Sequence, residues 1–242
     1  MHSNKHDLVD DIYGKALTHY FNNPADQEIM VHSDIAESEP YPVSWFFRST
    51  KEFPVLEQKA LELCKGKILD VGAGTGIHSL ALQDLGMDIH AIDISPGAVE
   101  VMNKQGLKNA TFQDFYAIEN QKYDTLLMLM NGFGVMGTIE GVPYFFKKAD
   151  ELLTETGQII VDSSDLIHLY TEEDGSVMFD LNANYHGEIT YQMEFNGEMG
   201  HPFQWLFIDF HLMQEFAEKA GFNAVKIFEE ETNHYLAQIT RM

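Results

Sequence analysis

The stretch Ile68-Leu69-Asp70-Val71-Gly72-Ala73-Gly74-Thr75-Gly76 decides how the rest of the chain is read. A short apolar, β-branched run ends on an acidic residue and then meets glycine at three alternate positions. The amphipathic segment Ile77 to Leu85 follows at once. A buried strand that breaks into a tight turn and opens a helix is the setting in which a glycine-rich turn binds a nucleotide-like ligand. Glycine is needed there because a Cβ would block both positive φ and close approach of backbone to ligand.

Outward from this turn, strand and helix patterns alternate. The helix over 77–85 stops at Gly86, and Met87–Ile94 (MDIHAIDI) is a second strand. Ser95-Pro96 is an N-cap followed by proline at the first helical position, opening a helix over 97–105 that Gly106 ends. Ala110–Gln113 is a short third strand, and Tyr123–Met130 (YDTLLMLM) is a fourth, apolar enough to be buried on both faces. Pro143 starts a helix to about Leu153, Gly157 stops it, and Gln158–Asp162 is a fifth strand. Repeated β-α units of this length predict a parallel sheet with right-handed crossovers.

The flanks break that rhythm. Residues 7–21 place Leu8, Ile12, Ala16, Leu17 and Tyr20 at helical spacing, and Asn22-Asn23-Pro24 ends them. Residues 33–50 are polar and then aromatic, with Pro40 and Pro42 arguing against a helix before Val43. Pro54 opens a helix to about Cys64, ended by Gly66. Toward the other end, Glu188–Phe195 and Phe203–Ile208 flank the turn signal Asn196-Gly197 and predict an antiparallel hairpin. Asp209 caps a helix to about Ala220, and Ala224–Glu229 and Tyr235–Thr240 close the chain as antiparallel strands. The predicted organisation is a single α/β domain. It comprises an N-terminal helical and aromatic lid (1–53), a ligand-binding core (54–165), a β insertion (166–208) and a C-terminal helix with hairpin (209–242).

Composition narrows the function. The 242 residues are 45% hydrophobic and 12% aromatic, ample for a large core. Fifteen Lys and Arg against 38 Asp and Glu give a net charge of −23, which repels phosphate backbones and argues against nucleic acid as partner. Cys64 is the lone cysteine, which excludes an internal disulfide and any multi-cysteine zinc site, and it reads as buried filler. No stretch approaches the ~20 apolar residues of a membrane span, and the first residues lack the apolar region of a signal peptide. A cytoplasmic protein, monomeric or homodimeric, is expected.

Two cofactor classes compete for the turn. A dinucleotide fold wants G-x-G-x-x-G. Here the pattern is G-x-G-x-G, and Ile77 stands where the third dinucleotide glycine would be. Asp93 ends the second strand, where a carboxylate can accept both ribose hydroxyls. Asp114 follows the third strand, placed to accept from an exocyclic adenine amine or to shape a turn.

With these motifs in register, residues 45–165 resemble the Rossmann-like (class I) S-adenosylmethionine-dependent methyltransferases. Asp70–Gly76 matches that family's acidic-x-G-x-G-x-G motif, and Asp93 and Asp114 match its ribose and adenine acids. Tyr123–Leu127 and Leu152–Gln158 resemble its later motifs around strands four and five. The resemblance implies a doubly wound, seven-stranded, mostly parallel sheet whose last strand is antiparallel. The cofactor implied is S-adenosyl-L-methionine, with S-adenosyl-L-homocysteine as product. It also implies cofactor contacts from Asp70, Gly72, Ala73, Gly74, Gly76, Asp93, Ile94, Asp114 and Phe115, with no metal. Arg48 either pairs with the methionine carboxylate or is a surface arginine, and Asn131 lies near the sulfonium or simply makes a turn.

Methyl transfer from a sulfonium is an in-line displacement that needs alignment, and a general base only for a protonated nucleophile, so no catalytic side chain is assigned. Asn131-Gly132-Phe133-Gly134 lacks the two prolines that amide- and adenine-directed members carry after strand four. His168, His186, His201 and His211 form no H-x-x-x-H pair and read as surface or structural histidines. Tyr41, Trp45, Phe133 and Trp205 are candidate acceptor contacts. A small-molecule acceptor is expected. A basic protein or peptide drawn by the negative charge, or a module that binds adenosylmethionine without turnover, are the alternatives.

Overall fold

A computed structural model describes residues 11–171, 174, 176 and 184–242. The expected helix start at residues 7–10, Leu8 included, and part of the insertion lie outside the described residues. Helix α1 (Ile12–Asn22) is followed by two strands, β1 (Glu28–Ser33) and β2 (Glu39–Pro42), and a 3-10 segment, Val43–Phe47. The two strands were not foreseen. Residues 43–47 do follow the prolines with helical geometry, but of the tighter kind.

Helix α2 (Val55–Leu63) starts after Pro54 and leads into the alternating block: β3 (Lys67–Val71), α3 (Ile77–Asp84), β4 (Asp88–Asp93), α4 (Pro96–Lys104), β5 (Ala110–Phe112), β6 (Tyr123–Met128), α5 (Val142–Leu152) and β7 (Leu153–Ser164). Ser95 caps α4 as its sequence predicts, its side chain accepting from Ala98 N, with Pro96 at the first turn. At one point the expectation fails. Gly157 does not stop α5; Leu153 is already extended, and β7 runs 12 residues from there. Gly157 lies inside that strand, where a Cβ would come within 2.9 Å of the Leu153 side chain and 3.1 Å of Thr154 N, so a larger residue would crowd the strand's own start.

The remaining elements are β8 (Glu188–Phe195), β9 (Glu198–Met199), β10 (Phe203–Leu206), α6 (Phe210–Lys219), β11 (Phe222–Glu229) and β12 (His234–Arg241). Asn196 and Gly197 both take positive φ, 51° and 79°, and turn β8 into β9, while Asp209 caps α6 by accepting from Leu212 N at 2.9 Å. The main sheet has the order β11-β12-β7-β6-β3-β4-β5, parallel from β7 to β5, with β12 antiparallel to β7 and β11 antiparallel to β12. That is the doubly wound α/β fold. Its central strands are buried on both faces, with Ile68, Leu69, Leu126 and Leu127 fully enclosed.

A second, antiparallel sheet joins the N-terminal segment to the insertion in the order β10-β8-β1-β2, with β9 also on β8. Its central pairing sets Met30 opposite Glu194 and Ser33 opposite Tyr191. Among the described residues, no helix is long and apolar enough to cross a membrane.

Candidate active site

The site forms at the carboxyl edge of the parallel strands, where open α/β sheets leave a crevice. Beyond Val71 the chain turns through Gly72, Gly74 and Gly76 at φ 72°, 59° and 79°, conformations that side chains rarely adopt. The turn is pinned to β4, since the amides of Gly72 and Ala73 both donate to Ile92 O at 3.0 Å. A Cβ on Gly76 would come 2.8 Å from Met102, and one on Gly74 would come 2.8 Å from the Tyr13 hydroxyl. At Gly72 it would meet only Val135, at 3.8 Å, so space remains above the first glycine. Behind the turn, buried Asp70 accepts from Ser79 Oγ at 2.6 Å and so ties strand β3 to helix α3. Burial raises its pKa, against the opposing effects of His78 and the Ser79 hydrogen bond.

Asp93 is the electrostatic centre of the turn. One oxygen accepts from Gly74 N and the other from Ser95 N, both at 2.8 Å, which leaves lone pairs on each oxygen for further donors. Burial pushes its pKa up to about 6, with the Gly74 and Ser95 amides pulling the other way and Asp11 and Asp70 adding to the rise. Next to it, Ile94 is 54% exposed, an apolar side chain open at the rim of the cleft. Asp114 is exposed and accepts from Tyr116 N at 2.9 Å, capping the short turn Phe115–Ala117. Phe115 itself points into the core, its ring 5.6 Å from Phe145. Only its backbone is left for a ligand.

Arg48 is no surface arginine. It is 6% exposed; Nη1 donates to Trp45 O at 2.7 Å and Nη2 pairs with Glu57 on α2. The other Glu57 oxygen lies 2.8 Å from His78 Nε2 on α3, and the guanidinium carbon stacks 4.3 Å from the Trp45 ring centroid. Arg48 Nε, although buried, has no hydrogen-bond partner among the described residues. An unmet buried donor costs about 1–3 kcal/mol, so it asks for an explanation. Despite its burial, Glu57 keeps its pKa low through His78 and Arg48.

Beyond β6, Met130 and Asn131 take successive left-handed conformations, φ 65° and 56°, a strained exit of the kind that clusters at functional sites. Asn131 Oδ1 accepts from Ser164 Oγ at 2.7 Å. Gly132 N donates at 2.8 Å to Asp162, whose second oxygen meets His234 Nε2 at 2.8 Å. Of the expected acceptor contacts, Phe133 is instead a core residue, fully buried and 5.8 Å from the Phe145 ring. Tyr41 and Trp45 stand at the rim, 36% and 41% exposed, and Tyr41 packs 5.3 Å from Phe46. Trp205 is half-buried against Gly134, where a Cβ would lie 2.0 Å from its Nε1.

Sequence reasoning missed Asp11, Tyr13, Glu57, His78, Asp162 and His234. Asp11 caps two helices at once, its carboxylate accepting from Gly14 N of α1 (2.8 Å) and from Ser95 Oγ and Gly97 N of α4 (2.8 and 2.9 Å). An aspartate ahead of an apolar helical pattern signals the first cap, whereas nothing local signals the second. Of the histidines expected to be surface or structural, His211 pairs along its own helix with Glu215 at 3.6 Å, while His168 and His186 both meet Asp165, at its carbonyl (3.3 Å) and its carboxylate (3.6 Å). No group of three His, Cys, Asp or Glu among the described residues is placed to hold a metal ion.

A doubly wound sheet in the order above, with an acidic-x-G-x-G-x-G turn and a buried carboxylate at the end of the next strand, defines the class I adenosylmethionine-dependent methyltransferase architecture. The comparisons agree. A family profile described as a methyltransferase domain matches residues 64–204. Among solved structures, the chain is similar to a SAM-dependent methyltransferase from Bacteroides fragilis crystallised with S-adenosyl-L-homocysteine. The two are 41% identical over 96% of this chain and 95% of that one, with a TM-score of 0.90. The CcbJ methyltransferase of Streptomyces caelestis shares the fold at 15% identity and a TM-score of 0.65, over 96% of this chain and 99% of that one. The sugar N-methyltransferase KedS8 of a Streptoalloteichus species shares it at 11% identity and 0.57, over 87% and 96%. No curated protein sequence matches significantly. The chain belongs to the S-adenosylmethionine-dependent methyltransferases, and S-adenosyl-L-methionine is its cofactor. The donor set suits such a cofactor: a cradle above Gly72, a buried carboxylate with lone pairs to spare, and an orphaned guanidinium N–H.

Proposed function

We propose that the chain methylates a small-molecule acceptor held at the carboxyl edge of the main sheet. The observation that supports this is the convergence of both non-core segments on that edge. Tyr13 of α1 lies over Gly74, the Phe46 carbonyl accepts from Thr75 of the glycine turn, and Trp205 of the insertion covers Gly134. A crevice roofed in this way, with Tyr41 and Trp45 at its rim, suits a compact ligand better than a polypeptide.

When bound, the cofactor supplies an electrophilic methyl group on a sulfonium. In this reading Asp93 accepts the ribose hydroxyls, Ile94 and Asp114 border the adenine, and Arg48 takes the amino-acid carboxylate. Asp70 and the three glycines shape the turn, while Asn131 stands near the reacting centre. The aromatic roof excludes water and aligns the acceptor, the main contribution that this displacement asks of a protein.

A second reading rests on the charge of −23, which would attract a basic protein or peptide. Incubating the protein with methyl-labelled S-adenosylmethionine and a whole-cell extract separates the two. Label is expected in the low-molecular-weight fraction, with little change on adding salt. Label in macromolecules that falls steeply with salt would overturn the small-molecule reading.

A further inference from the structure

The buried cluster on α2 and α3 does more than fill space. Glu57 uses both oxygens, one on Arg48 and one on His78, so its carboxylate cannot rotate. The guanidinium is gripped in turn. The Trp45 ring lies 4.3 Å from it and the Phe53 ring 5.6 Å away, Trp45 O accepts a hydrogen bond from Nη1, and Met130 Sδ lies 3.9 Å from Nη1. The Phe53 ring also packs 5.0 Å from His78, closing the circle. The segment carrying Arg48 is tied to the glycine turn through the Thr75 hydroxyl and Phe46 O, so the cluster spans three elements around one cleft.

A network built only for stability would satisfy all its donors, and buried ion pairs are poor stabilisers in any case. This one spends a buried carboxylate and an imidazole on an arginine and still leaves the Arg48 Nε–H without a partner. A planar guanidinium fixed in orientation, with a donor left over, is prepared for a planar anion approaching in its own plane.

We propose that Glu57 and His78 are positioning residues that hold Arg48 in the orientation needed to grip the carboxylate of the cofactor's amino-acid half; this rests on the reading of Arg48 given above. The experiment compares two ligands by isothermal titration. S-adenosylhomocysteine carries the carboxylate, and 5′-methylthioadenosine keeps the nucleoside and sulfur but lacks it. The variants are Glu57→Asp, which keeps the charge but withdraws it by one methylene, His78→Asn, and Arg48→Lys.

Each is expected to weaken S-adenosylhomocysteine about tenfold, the size of one hydrogen bond to a charged group, while methylthioadenosine changes less than about twofold. If Glu57→Asp and His78→Asn weaken both ligands by the same factor, the cluster is merely structural and the proposal falls. If Arg48→Lys alone lowers the ratio of affinities, the carboxylate reading stands and the positioning role falls. If Arg48→Lys leaves the ratio unchanged, the reading of Arg48 itself is wrong. Should Glu57→Asp fail to fold, His78→Asn reads the same ratio with the Arg48–Glu57 pair still in place.

Discussion

The two sheets assemble from the chain in different ways. From Lys67 to Ser164 the parallel strands of the main sheet follow one another with helices or short connections between them, and the glycine turn, Asp93 and Asp114 each sit at a strand's end. The second sheet pairs β1, residues 28–33, with β8, residues 188–195, so its halves come from either side of the whole cofactor-binding block. That sheet and the N-terminal segment meet the block over a broad seam: Ile12, Ala16, Leu17, Ile29 and Phe195 share a core with Ala98 and Val101 of α4, Gly14 packs on Gly97, Trp205 covers Gly134, and Phe46 O accepts from Thr75. The cofactor half is thus locally encoded, while the roof is a second layer, assembled from distant segments and packed onto it. Each should be breakable without the other.

The largest expected effect lies in the cofactor half. Replacing Asp93 with Asn removes the charge and sets an amide N–H₂ against the Gly74 or Ser95 amide. Affinity for S-adenosylhomocysteine should fall about a hundredfold, as for two hydrogen bonds to a charged acceptor. The pH dependence fixes the assignment. Because its folded pKa is raised to about 6, Asp93 favours the folded state most when protonated. Its contribution is fully present below the unfolded value near 4 and is lost as pH rises through about 6, on the order of 2–3 kcal/mol. Cofactor hydroxyls need the ionised form, so wild-type affinity should climb through that same window while the Asn variant stays flat. A variant whose affinity still climbs there would remove Asp93 from the ribose.

Sequence legibility cuts across both sheets and divides short-range from long-range determinants. The turn at Gly72–Gly76, the cap at Ser95 and the Asn196-Gly197 turn are set by neighbouring residues, and the structure has them where their sequences point. Strands β1 and β2 were illegible because their partner is far away in sequence and their own alternation is weak: β1 buries only Ile29, and β2 is exposed throughout. The Arg48–Glu57–His78 cluster could not be read either, since its members lie on three elements and none carries a spacing signal. Phe115 and Phe133 show another limit. Aromatic residues beside a motif look like ligand contacts, but whether such a ring faces the cleft or the core is settled by packing.

A medium effect tests whether the roof is separable. Gly134→Ala would drive a methyl group into the Trp205 indole, 2.0 Å from Nε1, and force β10 away from the turn after β6. Overpacking of this kind costs about 1–3 kcal/mol, visible as a lower Tm. Binding of S-adenosylhomocysteine should change less than about threefold, because none of the cofactor contacts proposed above lies on β10. A matching loss of stability and cofactor affinity would show that the two sheets function as one unit.

The smallest expected effect lies inside the main sheet, where β7, β12 and the exit of β6 meet. Asp162, fully buried at the end of β7, holds Gly132 N with one oxygen and His234 with the other. Burial opposes charge on His234, but the Asp162 hydrogen bond and the charges of Asp162, Glu230 and Glu57 outweigh it and raise the pKa. Stability from a raised histidine is fully present below the ordinary value near 6.5 and is lost as pH rises through the folded one. His234→Asn should therefore cost about 1 kcal/mol at pH 6 and progressively less in alkaline solution, read by denaturant melts at both ends. The strained Met130-Asn131 exit hangs on the same carboxylate through Gly132, so the amide of Gly132 should lose hydrogen-exchange protection in the variant while Gly74, held by Asp93, keeps its own. Equal loosening at both amides would mean that the carboxyl edge of the main sheet yields as one unit, and that the holds of Asp93 and Asp162 are not independent.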